Sequence, residues 1–333
     1  MSIEIIAELA QGFEGRPEQA RLLMKAATTA GADAVKYQLV YADELATPDY
    51  KYYELFRSLE MADEVWVELA EYARELGVRL HLDVFGTSSL QLAERLEVAA
   101  VKIHGTDLTN IGLLSDVARS SVPRVLLGAG GGHANEIRQA INILADKQIV
   151  VLLGFQGYPT PDESNQIART RLVIKSLGDT HQNVVVGFAD HARPESPLRY
   201  ALAATAIGAG ATVFEKHLTL GKVMKLEDHE SALNPDEFLE FSQIIRHCSD
   251  ALGEAKDTED FGMSEVEKGY RKMIRRHVVT SRDLKKGSII APTDIVLKRS
   301  SAENVLTDLD LAYDKTLNCD LKKNMPIATN DII

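Results

Sequence analysis

The chain has 333 residues, 45% of them hydrophobic, and a formal charge of −12. That length can bury a large core and suggests more than one domain. The acidic balance argues against nucleic acid or an anionic membrane surface as the main partner, and no apolar run approaches the ~20 residues needed to span a bilayer.

A pattern of apolar strand, polar loop and helix recurs eight times along the chain. Ile3–Glu8 is a β-rich run, and Pro17–Ala30 has helical periodicity ending at Gly31. Ala34–Gln38 follows as a strand, then a long loop containing Pro48 and a helix over Val65–Leu76 that stops at Gly77, a residue suited to a helix C-terminus. The next strands are predicted at Val78–Val84, Ala99–Ile103, Arg124–Leu127 and Ile149–Leu153, with helices at Ser89–Leu96, Ile111–Arg119, Asn135–Leu144 and Gln166–Leu177. The last two strands, Val184–Phe188 and Ala211–Glu215, precede helices at Pro197–Ile207 and Pro235–Leu252. Strands that alternate with helices pair in parallel, and eight such units in about 250 residues predict a closed (β/α)8 TIM barrel.

In that fold the active site gathers where the strands end. The residues at those ends are Glu8, Lys36, Gln38, Asp83, Lys102, His104, the Gly128–Gly132 run, Gln156, Asp190, His191, Lys216 and His217. Asp228, His229 and Glu230 follow in the loop beyond the last strand. Charged and imidazole groups crowded at strand exits are costly to bury unless they bind something, which predicts a metal and substrate site. The plainer readings are histidines hydrogen-bonded within a packed barrel mouth, lysines salt-bridged to Glu8 or Asp107, and an Asp190–Lys216 ion pair. The glycine run, including Gly130, reads equally as a flexible turn or as an amide nest for an anion.

The chain changes character after Leu252. Residues 253–271 read as a charged linker with a short helix. From Lys272 onward basic side chains outnumber acidic ones, and DLKKGSIIAPTDI (from Asp283) is echoed by DLKKNMPIATNDII (from Asp320). This predicts a small β-rich domain over 272–333, after a first domain spanning 1–252. The start, MSIEIIAELAQ, has no secretory pattern, and Cys248 and Cys319 have no metal-ligand spacing; both point to the cytoplasm.

Eight pieces in order carry a resemblance: AELAQGFEG, GADAVKYQ, VKIHGTDLTN, YPTP with Asn165 after it, VGFADHA, GATVFEKHLTL, DHESAL and RRHVVTSRDLKKGSIIAPTDI. Together they resemble the sialic acid synthase family, which includes N-acetylneuraminate synthases and spore-coat polysaccharide synthesis proteins; the last piece is similar to its antifreeze-like (SAF) domain. The resemblance implies condensation of phosphoenolpyruvate with a sugar aldehyde, such as an amino sugar, to give a nonulosonic acid and phosphate. It implies a divalent metal, Mn2+ before Mg2+ or Co2+, on His191 and His217. It also implies catalytic roles for Glu8, Asp107 and Asp228, and substrate binding by Lys36, Gln38, Lys102 and Asn165; Gly130 and Lys216 join them as substrate-binding candidates from their places at the strand ends. A domain-swapped homodimer, in which Arg299 reaches the partner's sugar site, belongs to the same implication.

The sequence also departs from that family. Gly12 and Phe13 stand where Asn-His is usual, and Ser-Ser follows Arg299 in place of Pro-Gly. Hydroxyl residues expected around the donor are replaced by Asp83, Gly105, Gly128 and Ala189, and Gly154, Phe155 and Gln156 replace a cysteine-threonine-serine run. A phosphoenolpyruvate-dependent synthase is therefore expected beside two alternatives: a metal-dependent aldolase or lyase with a different donor, and a non-catalytic sugar-binding homologue.

Overall fold

The computed structural model describes residues 3–155, 157–177, 182–254 and 257–333; Gln156 and part of the predicted linker lie outside the described residues. The chain divides into two compact units, Met1–Gly253 and Glu254–Ile333.

The first unit is a closed barrel of eight parallel strands, each paired with its sequence neighbour and the last with the first. Its opening elements are β1 (Glu4–Ala10), α1 (Pro17–Thr29), β2 (Ala34–Gln38), α2 (Ala42–Leu45), α3 (Tyr53–Leu59) and α4 (Asp63–Leu76). Next come β3 (Arg79–Asp83), α5 (Thr87–Arg95), β4 (Ala100–Ile103), α6 (Ile111–Arg119), β5 (Arg124–Gly128) and α7 (Ala134–Ile143). The circuit closes with β6 (Gln148–Leu153), α8 (Arg169–Leu177), β7 (Val184–Asp190), α9 (Ala201–Gly208), β8 (Val213–His217) and α10 (Pro235–Leu252).

Side chains point alternately to the two faces of each strand, as a pleated strand requires. The outward set packs under the helices in one large core that includes Ile5, Leu82, Val101, Leu127, Val151 and Phe214. The inward set forms its own layer of Ile6, Ala34, Ala100, Leu126, Val150, Leu152 and Val213, which plugs the middle of the barrel. Above that plug the same inward faces carry Glu8, Lys36, Asp83, Lys102, Glu215 and His217. Strand register brings them level: Glu8 lies opposite Lys36 on β2 and opposite His217 on β8, and Asp83 lies opposite Lys102.

The eight strands stand where they were expected, with shifts at their ends. β1, β7 and β8 continue through Ala10, Asp190 and His217, beyond where the apolar runs stop. Polar residues can extend β7 and β8 because each is accommodated: His217 shares the inward parity of Glu215, and Asp190, on the other face, pairs with Lys216. The stretch read as one long loop after β2 contains α2 and α3, and Glu44 from α2 accepts hydrogen bonds from the first turn of α5.

The second unit holds α11 (Glu265–Ile274) and an antiparallel pair, β9 (Arg276–Thr280) and β10 (Ile295–Arg299). Isolated bridges such as Leu284 to Leu321 and Ile289 to Thr316 complete it around a core of Val278, Leu284, Ile290, Ile295, Leu306, Leu317 and Ile327. The two DLKK segments face each other. Lys285 pairs with Asp320 at 2.8 Å and Lys322 pairs with Asp283 at 2.9 Å. Each aspartate also accepts a backbone amide from the other segment, Lys286 for Asp320 and Lys323 for Asp283.

Candidate active site

A cavity of about 210 Å³ opens at the C-terminal ends of the strands. Its wall carries His191, His217, Tyr158 and Asp228 together with Lys102, Gln38 and His104. The elements explain these positions. His217 is the last residue of β8, on the inward parity set by Glu215, and His191 follows the end of β7 beside it. Gly130 reaches the wall from the turn after β5, where Gly131 adopts φ 76° and so reverses the chain.

The two imidazoles face each other with ring centroids 5.3 Å apart. Tyr158 packs against both, at 5.5 Å from His191 and 5.4 Å from His217, and its hydroxyl donates to the Asp228 carbonyl at 3.0 Å. Burial keeps both histidines neutral: His191 is pushed down to about 4, and His217 falls well below its ordinary range, with His191 adding to the effect. The Nδ1 atoms of both rings are buried without a hydrogen-bond partner. Two neutral imidazoles at a cavity wall, each with one unprotonated ring nitrogen to offer, fit a divalent ion. Among the described residues no cluster of three or more His, Cys, Asp or Glu side chains has ligand geometry. An ion there would therefore take its other positions from water or substrate oxygens.

Beneath the cavity lies a network of five charged side chains. Lys36, fully buried, contacts Glu8, Asp83 at 2.6 Å and Glu215 at 3.5 Å. Lys102 contacts Glu215 at 2.9 Å, Glu8 at 3.7 Å and Asp83 at 3.8 Å. Burial works against the Lys36 ammonium, but Asp83, Glu215 and Glu8 outweigh it and hold its pKa well above the usual value. Burial also raises Glu8, and Lys36 only partly offsets this, so its pKa rises to about 7. Glu215 goes the other way: despite burial, Lys102 and Lys36 keep it ionised well below the carboxylate range. At the rim, burial and the neighbouring Glu227 push Asp228 up to about 6. Asp228 also sits at φ 64°, a left-handed conformation that costs energy in a non-glycine residue.

The structure gathers most of the residues singled out in the sequence, but not all. Gln38, Lys102, Gly130, Asp228, His191 and His217 line the cavity, and Glu8 and Lys36 lie directly below it. Lys216 does not: its ammonium is fully buried, 3.2 Å from Asp190 and donating to the Ala192 carbonyl, because it alternates with inward-facing Glu215 and His217. Asn165 is buried outside the lining, donating to the Asp162 and Pro161 carbonyls. Asp107 accepts from Asn110 on a short turn after β4. Arg299 ends β10 in the second unit and is exposed. Tyr158, Phe155 and Glu215 were not assigned roles from the sequence. Glu215 was detectable, as an acidic residue of inward parity within an apolar strand.

The whole chain has counterparts among known proteins. An N,N'-diacetyllegionaminic acid synthase of Legionella pneumophila is 30% identical over 90% of this chain and 86% of its own. The spore coat polysaccharide biosynthesis protein SpsE of Bacillus subtilis is 31% identical over 89% of this chain and 83% of its own. A solved N-acetylneuraminic acid synthetase of Leptospira borgpetersenii shares the fold, with a TM-score of 0.72 at 23% identity over 83% of this chain and 93% of that one. The SAF domain model matches residues 275–333, the unit with the paired DLKK segments. The NeuB family model matches residues 23–257, the span that supplies every residue lining the cavity, and the chain belongs to the NeuB family.

Proposed function

We propose that this chain is a carbon–carbon bond-forming synthase that joins a three-carbon carboxylate donor to the aldehyde of an amino sugar, giving a nonulosonic acid for surface polysaccharide. The observation that carries this reading is the cavity itself: two neutral, facing imidazoles stand directly above a buried lysine–carboxylate network at the strand ends of a NeuB-family barrel. The family resemblance implies phosphoenolpyruvate as the donor, with phosphate released. A second reading, a metal-dependent aldolase with a donor lacking phosphate, is favoured by Asp83, whose carboxylate holds Lys36 at 2.6 Å.

His191 and His217 would hold a divalent ion, Mn2+ by preference, which when bound supplies Lewis-acid polarisation of the acceptor carbonyl. Lys102 is the ammonium on the cavity wall and pairs with the donor carboxylate. Glu8, beside Lys102 and titrating near neutrality, is suited to take or return a proton at the reacting centre. Gln38 and Asp228 orient the sugar at the rim, and Tyr158 and Phe155 exclude water from the imidazole pair. In a domain-swapped cytoplasmic homodimer, Arg299 would complete the sugar site of the partner subunit.

The test is product formation. The full chain is incubated with Mn2+, a panel of N-acetylhexosamines, and either phosphoenolpyruvate or pyruvate, and products are followed by mass spectrometry with a phosphate assay alongside. A nine-carbon or longer sugar acid is expected from at least one pairing; none from any pairing overturns the reading. Metal analysis of purified His217→Ala is expected to show at least ten-fold less bound ion than wild type, and equal content would remove that residue from the metal site.

A further inference from the structure

Two lysines enter the barrel interior, and only Lys102 reaches the cavity wall. Lys36 is enclosed by Glu8, Asp83 and Glu215 with no exposed surface. The three carboxylates of the network face two ammoniums, so no positive charge is left over for a ligand. Asp83 decides that balance: with Glu8 protonated, Asp83 and Glu215 still cancel the two ammoniums, whereas a neutral residue at 83 would leave Glu215 alone against both and would strip Lys36 of its 2.6 Å partner.

The wall beside Lys102 points the same way. Among the described residues, Gly105, Gly128, Gly154, Ala189, Leu152 and Phe155 line it there, and none of these six carries a side-chain donor. At Gly128 and Gly154 the backbone closes the space that a hydroxyl side chain would need. A Cβ on Gly128 would stand 2.8 Å from the Gly105 amide nitrogen, and one on Gly154 would stand 2.6 Å from the Ala189 carbonyl oxygen. A phosphate dianion requires several charge-assisted donors to replace its hydration, whereas one carboxylate can be held by the ammonium protons of Lys102 that Glu215 does not use.

We propose that Asp83 is the specificity-determining residue of the donor subsite: by holding Lys36 in an internal ion pair, it makes the cavity select a small 2-oxo monocarboxylate over a phosphorylated donor. This rests on the synthase reading only in taking the cavity as the donor's place. With such a donor the condensation is an aldol addition. A C–H bond on the carbon next to the oxo group breaks, that carbon bonds to the aldehyde carbon, and the proton ends on the former aldehyde oxygen; nothing else is released or consumed.

Titration calorimetry on the full chain with Mn2+ tests this, using pyruvate, phosphoenolpyruvate and inorganic phosphate as probes. Wild type is expected to bind pyruvate at least ten-fold more tightly than either phosphate compound. Asp83→Asn, which keeps the shape and removes the charge, is expected to gain at least ten-fold in phosphoenolpyruvate affinity. Wild type that binds phosphoenolpyruvate as tightly as pyruvate, or binds none of the three, overturns the proposal. So does Asp83→Asn with an unchanged preference and a wild-type melting transition. If Asp83→Asn does not fold, Asp83→Thr is measured in its place, and the wild-type comparison still decides. The synthase reading fails separately, through the absence of any condensation product, which leaves the binding preference standing.

Discussion

Asp190 and Lys216 meet at 3.2 Å with neither side chain exposed, and both also bond the backbone at Ala192. Removing one member of such a pair leaves a buried charge uncompensated. Lys216→Ala should therefore cost about 3–5 kcal/mol in urea unfolding, whereas replacing both partners with apolar residues should recover most of the loss. A second residue-scale outcome concerns His191. In the folded chain it takes up a proton only near pH 4, while the unfolded chain does so near the ordinary histidine value of 6.5. Between those values the unfolded state binds more protons, so the metal-free protein loses stability as pH falls through that window. His191→Asn lacks that loss. Unfolding at pH 4.5 and 7.5 in the presence of a chelator should show the variant gaining on wild type at the lower pH, by no more than about 3 kcal/mol.

At this scale the sequence is only partly legible. Strand-end parity identifies Glu8, Lys102 and His217, because a polar side chain of inward parity in an apolar strand must face the barrel interior. Collecting every polar residue at a strand end, as the sequence reading does, cannot separate Lys216, which is one residue off that parity, from its neighbours. It cannot show that Asp83 binds Lys36, since that contact joins residues far apart in sequence.

At the scale of elements, the barrel mouth is shaped by backbone approaching backbone. The end of β5 passes so close to the turn after β4 that a Cβ on Gly128 would meet the Gly105 nitrogen at 2.8 Å and the Ile103 carbonyl at 3.1 Å. Both are main-chain atoms and cannot swing aside as a flexible side chain would. Gly128→Ser should accordingly lower stability by about 1–3 kcal/mol, read from thermal unfolding, in place of simply adding a hydroxyl to the site. The eight strand–helix units were legible because parallel strands buried on both faces are apolar throughout. The strand ends were not, because β7 and β8 continue into Asp190 and His217, where hydropathy alone would stop them. The helices α2 and α3 escaped notice because α2 is a single turn and α3 spans only Tyr53–Leu59.

At the scale of the molecule, the chain is two units, each with its own core. Residues 257–263 that follow the barrel are mostly exposed, and α11 buries none of its side chains. Brief digestion with a broad-specificity protease should cut first within 253–274, leaving a barrel fragment and a small fragment distinguishable by mass. Early cuts inside the barrel at comparable rates would contradict that division. No helix among the described residues is long and apolar enough to cross a membrane.

The crossed pairs of the second unit, Lys285 to Asp320 and Lys322 to Asp283, bear on how it comes into being. Each DLKK segment supplies the lysine that the other's aspartate needs, so neither can complete its own turn first. A nascent chain released only through the first segment holds Val278, Leu284, Ile290 and Ile295 but lacks Leu306, Leu317 and Ile327, about half of the core. The small unit is therefore expected to complete its core only after synthesis of its final residues, and a chain truncated before Asp320 to lose the backbone bonds that hold both segments.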